Sequence, residues 1–301
     1  MQRTCIILAG PTASGKTDLA IALAKHYNTS VISADSRQCL KELHIGVAKP
    51  SAEQLKATTH YFIDTHRIQS PPNAAVFETY ALDALETMFA HSNVAIVAGG
   101  TGLYINALTD GIDSIPAVPE AIHEAVNALF QSGGLAAIQE RLQQLDPLFA
   151  AKGEMQNPHR CLRALAVKWS TGSSILDFHR AEKAIRPFHV IRVALSIPRE
   201  VLYHRINERV DHMMQAGLLA EVSALSPFAS WPALRTVGYQ ELFQYLDGHI
   251  TLEMAVEKIK QHTRHYAKRQ LTWFRNDGRY AWLNPDFQKV LKYVEDEMSL
   301  A

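Results

Sequence analysis

The sequence predicts an α/β fold in which a parallel β-sheet is flanked by helices and a helical segment is inserted in the middle of the chain. Three short apolar runs, residues 4–9, 31–34 and 94–98, each suit a strand that is buried on both faces of a sheet. A turn rich in glycine or polar residues follows each run. No strand-like run interrupts residues 121–171. At 301 residues the chain is long enough to bury a large core together with an insertion.

A glycine-rich loop directly follows the first apolar run and has the G-x-x-x-x-G-K-T spacing of a phosphate-binding loop. Its residues are Gly10, Pro11, Thr12, Ala13, Ser14, Gly15, Lys16 and Thr17. The two glycines let successive N–H groups turn inward around a phosphate. Lys16 adds a positive charge, and Thr17 offers a hydroxyl to a magnesium ion. Since a helix-forming run follows, the order predicts a P-loop NTPase-like sheet that binds a phosphorylated compound.

Polar groups also follow the other two predicted strands. The second strand ends in Asp35, Ser36, Arg37 and Gln38, and the third runs into three glycines around Thr101. The carboxyl ends of parallel strands share one edge of a sheet, which is where ligands bind in such folds. We therefore expect Lys16, Asp35 and Thr101 to converge there. The alternatives are that Asp35 only caps a turn and that the glycines only form a tight turn.

The pattern of residues 121–171 predicts successive helices, separated at residues 133–134, 146–147 and 157–158. An apolar and alternating run at residues 189–197 predicts the return to the sheet. We therefore assign residues 1–111 and 189–301 to an α/β core with C-terminal helices. Residues 112–188 form the predicted helical insertion.

Composition indicates an ordinary globular protein, with 47% hydrophobic and 20% charged residues and a net charge of zero. Residues 152–192 and 257–279 nevertheless each carry a net charge of +5. Such stretches suit contacts with a phosphate backbone, although a solvated basic face is the simpler interpretation. The three cysteines lie far apart and predict reduced thiols. No run approaches the length of a membrane span, and we expect a cytoplasmic, monomeric protein.

These motifs, in this order, resemble the tRNA dimethylallyltransferases, also called tRNA isopentenyltransferases, over nearly the whole chain. The resemblance rests on the glycine loop and on residues 33–38, 45–50, 60–64, 99–104, 237–239 and 263–275. It implies transfer of a dimethylallyl group from dimethylallyl diphosphate to N6 of adenosine at position 37 of tRNA, assisted by Mg2+. The loop would bind the diphosphate of the donor. A kinase that uses the same loop for ATP remains the alternative.

The resemblance also implies roles for particular residues. Asp35 would be the general base, Thr101 would contact the reacting centre, and Arg209 would join the loop in holding diphosphate. The residues implied to touch tRNA are Asp35, Ser36, Arg37, Gln38, Thr101, His123, His159, Arg160, Cys161, Leu162, Arg163, Gly238 and Tyr239. His123 stands where the family tends to have Arg, and His159 where it tends to have Gln. A histidine is mostly neutral at pH 7 and is shorter than an arginine. We therefore expect the contacts of these two positions with tRNA to differ from those usual in the family.

Overall fold

The computed structural model describes residues 2–179 and 183–300, which divide into two compact units. The first comprises residues 2–111 and 185–300, and the second comprises residues 112–179 and 183–184. The predicted second boundary lies four residues later, at 188/189. The difference has a local cause. Arg186 pairs with Glu78 and donates to the Ala107 carbonyl oxygen (2.9 Å), and the Phe188 ring lies 5.9 Å from that of Phe89. Residues 185–188 therefore pack with the first unit.

A six-stranded parallel sheet forms the centre of the first unit, in the order β3-β2-β4-β1-β5-β6. The strands are β1 (Thr4–Ala9), β2 (Val31–Ala34), β3 (His60–Tyr61), β4 (Val94–Gly99), β5 (His189–Leu195) and β6 (Ala281–Leu283). The expected strands β1, β2, β4 and β5 are confirmed, and β2, β4 and β1 are neighbours as the convergence of their ends requires. The short edge strands β3 and β6 were not predicted.

The helices of the first unit pack on both faces of this sheet. They are α1 (Lys16–His26), α2 (Ala52–Ala57), α3 (Ala74–Phe89) and α4 (Gly102–Asp110), followed after the second unit by α8 (Arg199–Gln215), α9 (Leu218–Ala224), α10 (Tyr239–Leu246), α11 (Leu252–Asp277) and α12 (Phe287–Leu300). Helices α1 and α12 cover one face, where their apolar side chains meet Ile6, Leu8 and Val193. The other face carries Cys5 and Ile7, which pack with α3, α4 and α10. Because side chains alternate across a strand, a strand covered on both faces must be apolar throughout, and every residue of β1 is buried.

The second unit contains the predicted helices α5 (Glu120–Leu145), α6 (Pro147–Lys152) and α7 (Pro158–Thr171). Gly134, at φ 62° and ψ −158°, kinks α5, so the expected break there is a kink within one long element. The side chain of Asp146 accepts from the Phe149 N–H at 3.0 Å, and that of Asn157 accepts from the Arg160 N–H at 3.3 Å. Each of these caps is followed by a proline at the first helical position, which explains the two helix starts.

The three cysteines are free and buried, as expected of reduced thiols. Among the described residues, no helix combines the length and the apolar character that crossing a membrane requires.

Candidate active site

The glycine loop leaves β1 at Ala9 and enters α1 at Lys16, as its motif predicts. Gly10 and Gly15 have φ values of 153° and 87°, and Ala13 has a φ of 62°. A side chain in this left-handed region costs roughly 1 kcal/mol, so Ala13 is held there by the surrounding loop. The loop therefore presents its backbone in the conformation that turns N–H groups toward an anion.

Lys16 is half-buried, and its ammonium group lies over the loop. Nζ donates to the Pro11 carbonyl oxygen at 2.6 Å and lies 3.4 Å from Ser14 Oγ. Burial, reinforced by the charge of Arg209 and opposed by that of Asp35, lowers the pKa of Lys16 to about 7. A bound diphosphate would reverse this shift, since an adjacent anion favours the charged amine.

Arg209 of α8 reaches the same loop although it lies 197 residues beyond Thr12 along the chain. Its Nη1 donates to Thr12 Oγ1 at 3.2 Å, and burial lowers the pKa of its guanidinium, which remains charged. The position implied for Arg209 by the family resemblance is therefore compatible with this geometry. Thr17 is half-buried at the start of α1 and lies on the wall of the same cavity as Lys16.

Asp35 follows β2, and its carboxylate is oriented by the turn after it. Oδ1 accepts from the N–H groups of Arg37 (2.9 Å) and Gln38 (3.2 Å). Within the described residues, no group donates a hydrogen bond to Oδ2. The carboxylate is thus both a turn cap and a group with one oxygen available to a ligand, so the two interpretations of Asp35 are compatible.

Thr101 joins the ends of β2 and β4. Its N–H donates to the Ala34 carbonyl oxygen at 3.1 Å, and its Oγ1 accepts from the Ser36 N–H at 3.1 Å. A side chain at Gly99 would place Cβ 2.1 Å from the Ala34 oxygen, which explains why a glycine precedes this turn. Thr101 therefore fixes the loop of Asp35 relative to the end of β4.

Tyr266 of α11 belongs to this cluster as well. Burial raises its pKa to about 12, helped by the charge of Asp35 and opposed by Arg37, Arg269 and a hydrogen bond with the Thr101 side chain. The phenol stays neutral at physiological pH. It therefore contributes a hydrogen-bonding group and an aromatic ring to the site.

One cavity of about 1110 Å³ is lined by most of these groups. Its wall includes Lys16 and Asp35, which were predicted to converge at this edge, and also Arg209 and Tyr266. Thr101, the third residue of that prediction, is not part of the wall and lies behind the turn of Asp35 that it holds. Six Lys and Arg residues and three Asp residues line it, an excess of positive charge that suits an anionic ligand. The sequence could not identify the apolar part of the wall, which includes Ile45, Val47, Val210, Met213, Val237 and Ile259.

The loop at residues 44–46, part of this wall, is held by Glu221 of α9. The carboxylate accepts from the N–H groups of His44 (3.2 Å), Ile45 (2.8 Å) and Gly46 (3.2 Å). It also accepts from the Tyr239 hydroxyl at 2.5 Å. Glu221 was not singled out from the sequence, because nothing local marks a carboxylate whose partners lie some 175 residues away.

The structure corrects the predicted role of the Tyr239 side chain in binding tRNA. Tyr239 is fully buried, its ring packs on Gly46, and burial together with the Glu221 hydrogen bond raises its pKa. It supports the wall of the cavity from behind. Gly238 is buried as well but lines the cavity, and its N–H donates to Glu241 Oε2 at 2.8 Å.

The amide of Gln38 is used within the protein, since it accepts from Ser33 Oγ (2.9 Å) and donates to the Ala48 oxygen (3.0 Å). The neighbouring Ser36 and Arg37 line the cavity with it. Contact with tRNA by these three residues stays a prediction.

The remaining predicted tRNA contacts lie in the second unit. His159 and Arg160 are exposed at the start of α7, where Arg160 pairs with Glu154, and His123 and Arg163 are half-buried. Cys161, by contrast, is fully buried, and its thiol donates to the Met155 oxygen at 3.2 Å. Side-chain contact between Cys161 and tRNA is therefore ruled out in this conformation, because the residue belongs to the core of the unit. The half-buried Leu162 packs against that core too.

Relatives of the chain were found by sequence. A protein-family model described as IPP transferase matches residues 38–277. The tRNA dimethylallyltransferase of Cytophaga hutchinsonii is 42% identical over 294 residues, which span 97% of each chain. That of Christiangramia forsetii is 41% identical over 301 residues, covering 99% of this chain and 100% of the relative.

Solved structures with the same fold have related descriptions. A full-length tRNA isopentenylpyrophosphate transferase from Bacillus halodurans matches with a TM-score of 0.71 and 33% identity, covering 99% of this chain and 96% of the other. A eukaryotic dimethylallyltransferase acting on tRNA matches with a TM-score of 0.79 and 25% identity, covering 95% and 75% of the two chains.

Proposed function

The chain belongs to the tRNA dimethylallyltransferase family, and from this premise we propose that it transfers a dimethylallyl group from dimethylallyl diphosphate to N6 of adenosine at position 37 of tRNA. The observation that carries the proposal is the single cavity that Lys16 and Asp35 both line. A transferase of this kind needs an anion site for the donor and a proton acceptor for the amine at opposite ends of one space. The products are N6-dimethylallyladenosine and diphosphate.

The donor end is the glycine loop. As the allylic carbon–oxygen bond breaks, negative charge grows on the departing diphosphate. The Lys16 ammonium, the Arg209 guanidinium and the loop N–H groups are fixed before the reaction and stabilise that charge without reorganisation. The proposed diphosphate contacts are therefore the residues of the loop together with Arg209.

Magnesium fits this site as an ion shared with the substrate. Within residues 2–179 and 183–300, no three His, Cys, Asp or Glu side chains cluster closely enough to hold a metal ion. Mg2+ commonly keeps several waters and binds through one or two protein groups plus substrate phosphates, a mode for which the Thr17 hydroxyl is available on the cavity wall. The bound ion would neutralise charge on the diphosphate.

The acceptor end is Asp35. The adenine must leave its stack to enter the cavity, at a cost of a few kcal/mol. Asp35 Oδ2 then accepts a hydrogen bond from the N6 amine and takes its proton as the bond between N6 and the allylic carbon forms. Because Oδ1 is already held by the N–H groups of Arg37 and Gln38, the second oxygen is oriented in advance.

The size and the wall of the cavity are compatible with two substrates. Pockets for one small molecule occupy roughly 300–1,000 Å³, whereas this cavity has about 1110 Å³. Its apolar residues offer a surface on which the five-carbon group of the donor can lie. That wall includes Val47, Met213 and Val237.

The proposal is tested by incubating the protein with unmodified tRNA, dimethylallyl diphosphate and Mg2+, followed by mass spectrometry of the tRNA nucleosides. We expect N6-dimethylallyladenosine at position 37 and an equal amount of diphosphate. The isosteric variant Asp35→Asn should lose transfer by at least about 100-fold while keeping its affinity for tRNA. Phosphate transfer from labelled ATP to a small molecule, with tRNA left unmodified, would support a kinase and contradict the proposal.

A further inference from the structure

Gln270 of α11 bridges two loops of the proposed active site. Its Oε1 accepts from the Thr12 N–H of the glycine loop at 2.9 Å, and its Nε2 donates to the Gly100 carbonyl oxygen at 3.0 Å. The two partners lie 258 and 170 residues away along the chain. The side chain is buried, with 6% of its surface exposed. One amide thus connects the end of β1 with the end of β4.

The orientation of this amide follows from its partners. The Thr12 N–H can only donate and the Gly100 oxygen can only accept, so the oxygen of Gln270 must face Thr12 and its nitrogen must face Gly100. A carboxylate could serve only the first partner, and an apolar side chain could serve neither. Gln270 is therefore matched in chemistry as well as in length to the gap between the loops.

The amide fits closely against Gly100, and Thr12 is also held by a second residue. A Cβ at Gly100 would lie 2.0 Å from Nε2 of Gln270, so the backbone there approaches the amide as closely as a glycine permits. The Thr12 hydroxyl accepts a hydrogen bond from the Arg209 guanidinium, and the Thr12 N–H donates to Gln270. Because the N–H of Thr12 is engaged by protein, it is a structural member of the loop, and the phosphate is left to its other N–H groups.

We propose that Gln270 is a positioning residue that sets the separation between the glycine loop and the loop of Thr101. Through Thr101 and its bond to the Ser36 N–H, this separation extends to the turn that carries Asp35. Gln270 thereby governs the distance between the leaving diphosphate and the incoming amine through the two loops that it joins. The inference rests on the proposed function and adds to it a residue to which no role in the reaction was assigned above.

The test uses Gln270→Glu, whose buried carboxyl takes two forms. When protonated, it donates to Gly100 and accepts from Thr12 as the amide does, whereas the carboxylate repels the Gly100 oxygen. Burial beside a carbonyl oxygen raises the pKa of such a carboxyl, so both forms are accessible between about pH 5.5 and 8.5. Lys16 and Arg209, which contact the glycine loop, and the neighbouring Arg269 favour the carboxylate and oppose this rise. Dividing each variant rate by the wild-type rate at the same pH removes the pH dependence that the two proteins share.

We expect kcat for Gln270→Glu to be about 100-fold below wild type at pH 8.5, as for a misplacement of about 1 Å, and to recover at least about tenfold relative to wild type at pH 5.5. Gln270→Met should be slow at every pH, since it cannot make either bond. The control Gln261→Glu, on an exposed turn of the same helix, should match wild type. A purely structural loss would show no such pH-dependent recovery.

Calorimetric titration with diphosphate provides a readout that does not depend on transfer. Gln270→Met should raise the Kd for diphosphate by at least about tenfold, because the glycine loop loses a fixed point. A pH-independent rate ratio for Gln270→Glu, or wild-type kcat and diphosphate affinity in Gln270→Met, would overturn the inference. Absence of transfer in the wild-type protein would instead overturn the proposed function, and the diphosphate titrations would still decide the role of Gln270.

Discussion

The depressed pKa of Lys16 predicts that diphosphate binding takes up a proton. Burial places this pKa at about 7 in the free protein, so close to half of the lysines are neutral at pH 7. The diphosphate binds the ammonium form and raises its pKa. The affinity for diphosphate is therefore fully developed below pH 7 and falls as the pH rises above 7. The fall ends at the pH that equals the pKa of Lys16 in the complex.

The magnitude follows from the fraction of protein with a charged Lys16. With a pKa of about 7, this fraction is about one half at pH 7, about one tenth at pH 8 and about one hundredth at pH 9. The contribution of Lys16 should thus raise the Kd for diphosphate about fivefold from pH 7 to 8 and about 50-fold from pH 7 to 9. The latter corresponds to about 2.3 kcal/mol of binding free energy.

Calorimetric titration with diphosphate at these three pH values, for wild type and for Lys16→Met, measures the effect. Diphosphate itself titrates in this range, but it does so equally in both experiments. The difference between the two pH profiles therefore isolates the lysine. In buffers of different ionisation enthalpy, wild type at pH 8 should take up close to one proton more than Lys16→Met. Parallel profiles for the two proteins would refute the reasoning.

Three further outcomes are expected. Gly46→Ala should lower the free energy of unfolding by about 1–3 kcal/mol in denaturant titrations, because its Cβ would lie 2.5 Å from the buried Tyr239 ring; an unchanged midpoint would contradict this packing. Arg209→Met should reduce kcat by about 100-fold or more, as for the loss of one fixed donor to a developing anion, whereas Arg205→Met, on an exposed turn of the same helix, should have a much smaller effect. Cys161→Ala should cost about 1 kcal/mol of stability yet leave tRNA affinity within about twofold, and a large loss of affinity in a folded variant would restore its predicted contact role.

The parts of the site that could be predicted from the sequence are those whose chemistry is local. The glycine loop has its spacing, strand and helix within a short stretch, and Asp35 and Thr101 each stand at the end of an apolar run. Because such runs are typical of buried parallel strands, their ends were expected to share an edge, and the order β2-β4-β1 confirms this. The family resemblance added Arg209, which no local pattern would identify.

The parts that could not be predicted depend on contacts between distant segments. Gln270 and Glu221 resemble any polar residue of a helix until their backbone partners are known. Tyr239 and Cys161 lie in stretches that the resemblance associates with tRNA, yet both face a core, because motif membership does not distinguish a residue that touches the ligand from one that supports it. Edge strands β3 and β6 have two and three residues, too few for an alternating pattern to be recognised.

The central strand of the sheet has a consequence for how the protein is made. In the pairing register, Thr4 of β1 lies between Val94 of β4 and His189 of β5. At a synthesis rate of roughly 5–20 residues per second, the ribosome needs about 5–20 s to add β5 after β4. Throughout that interval one hydrogen-bonding edge of the apolar strand β1 has no partner, while the helices of the intervening unit can already form from their own local contacts. Nascent chains stalled between these two strands should therefore be bound by chaperones that recognise extended apolar segments, and chains stalled beyond β5 should be released.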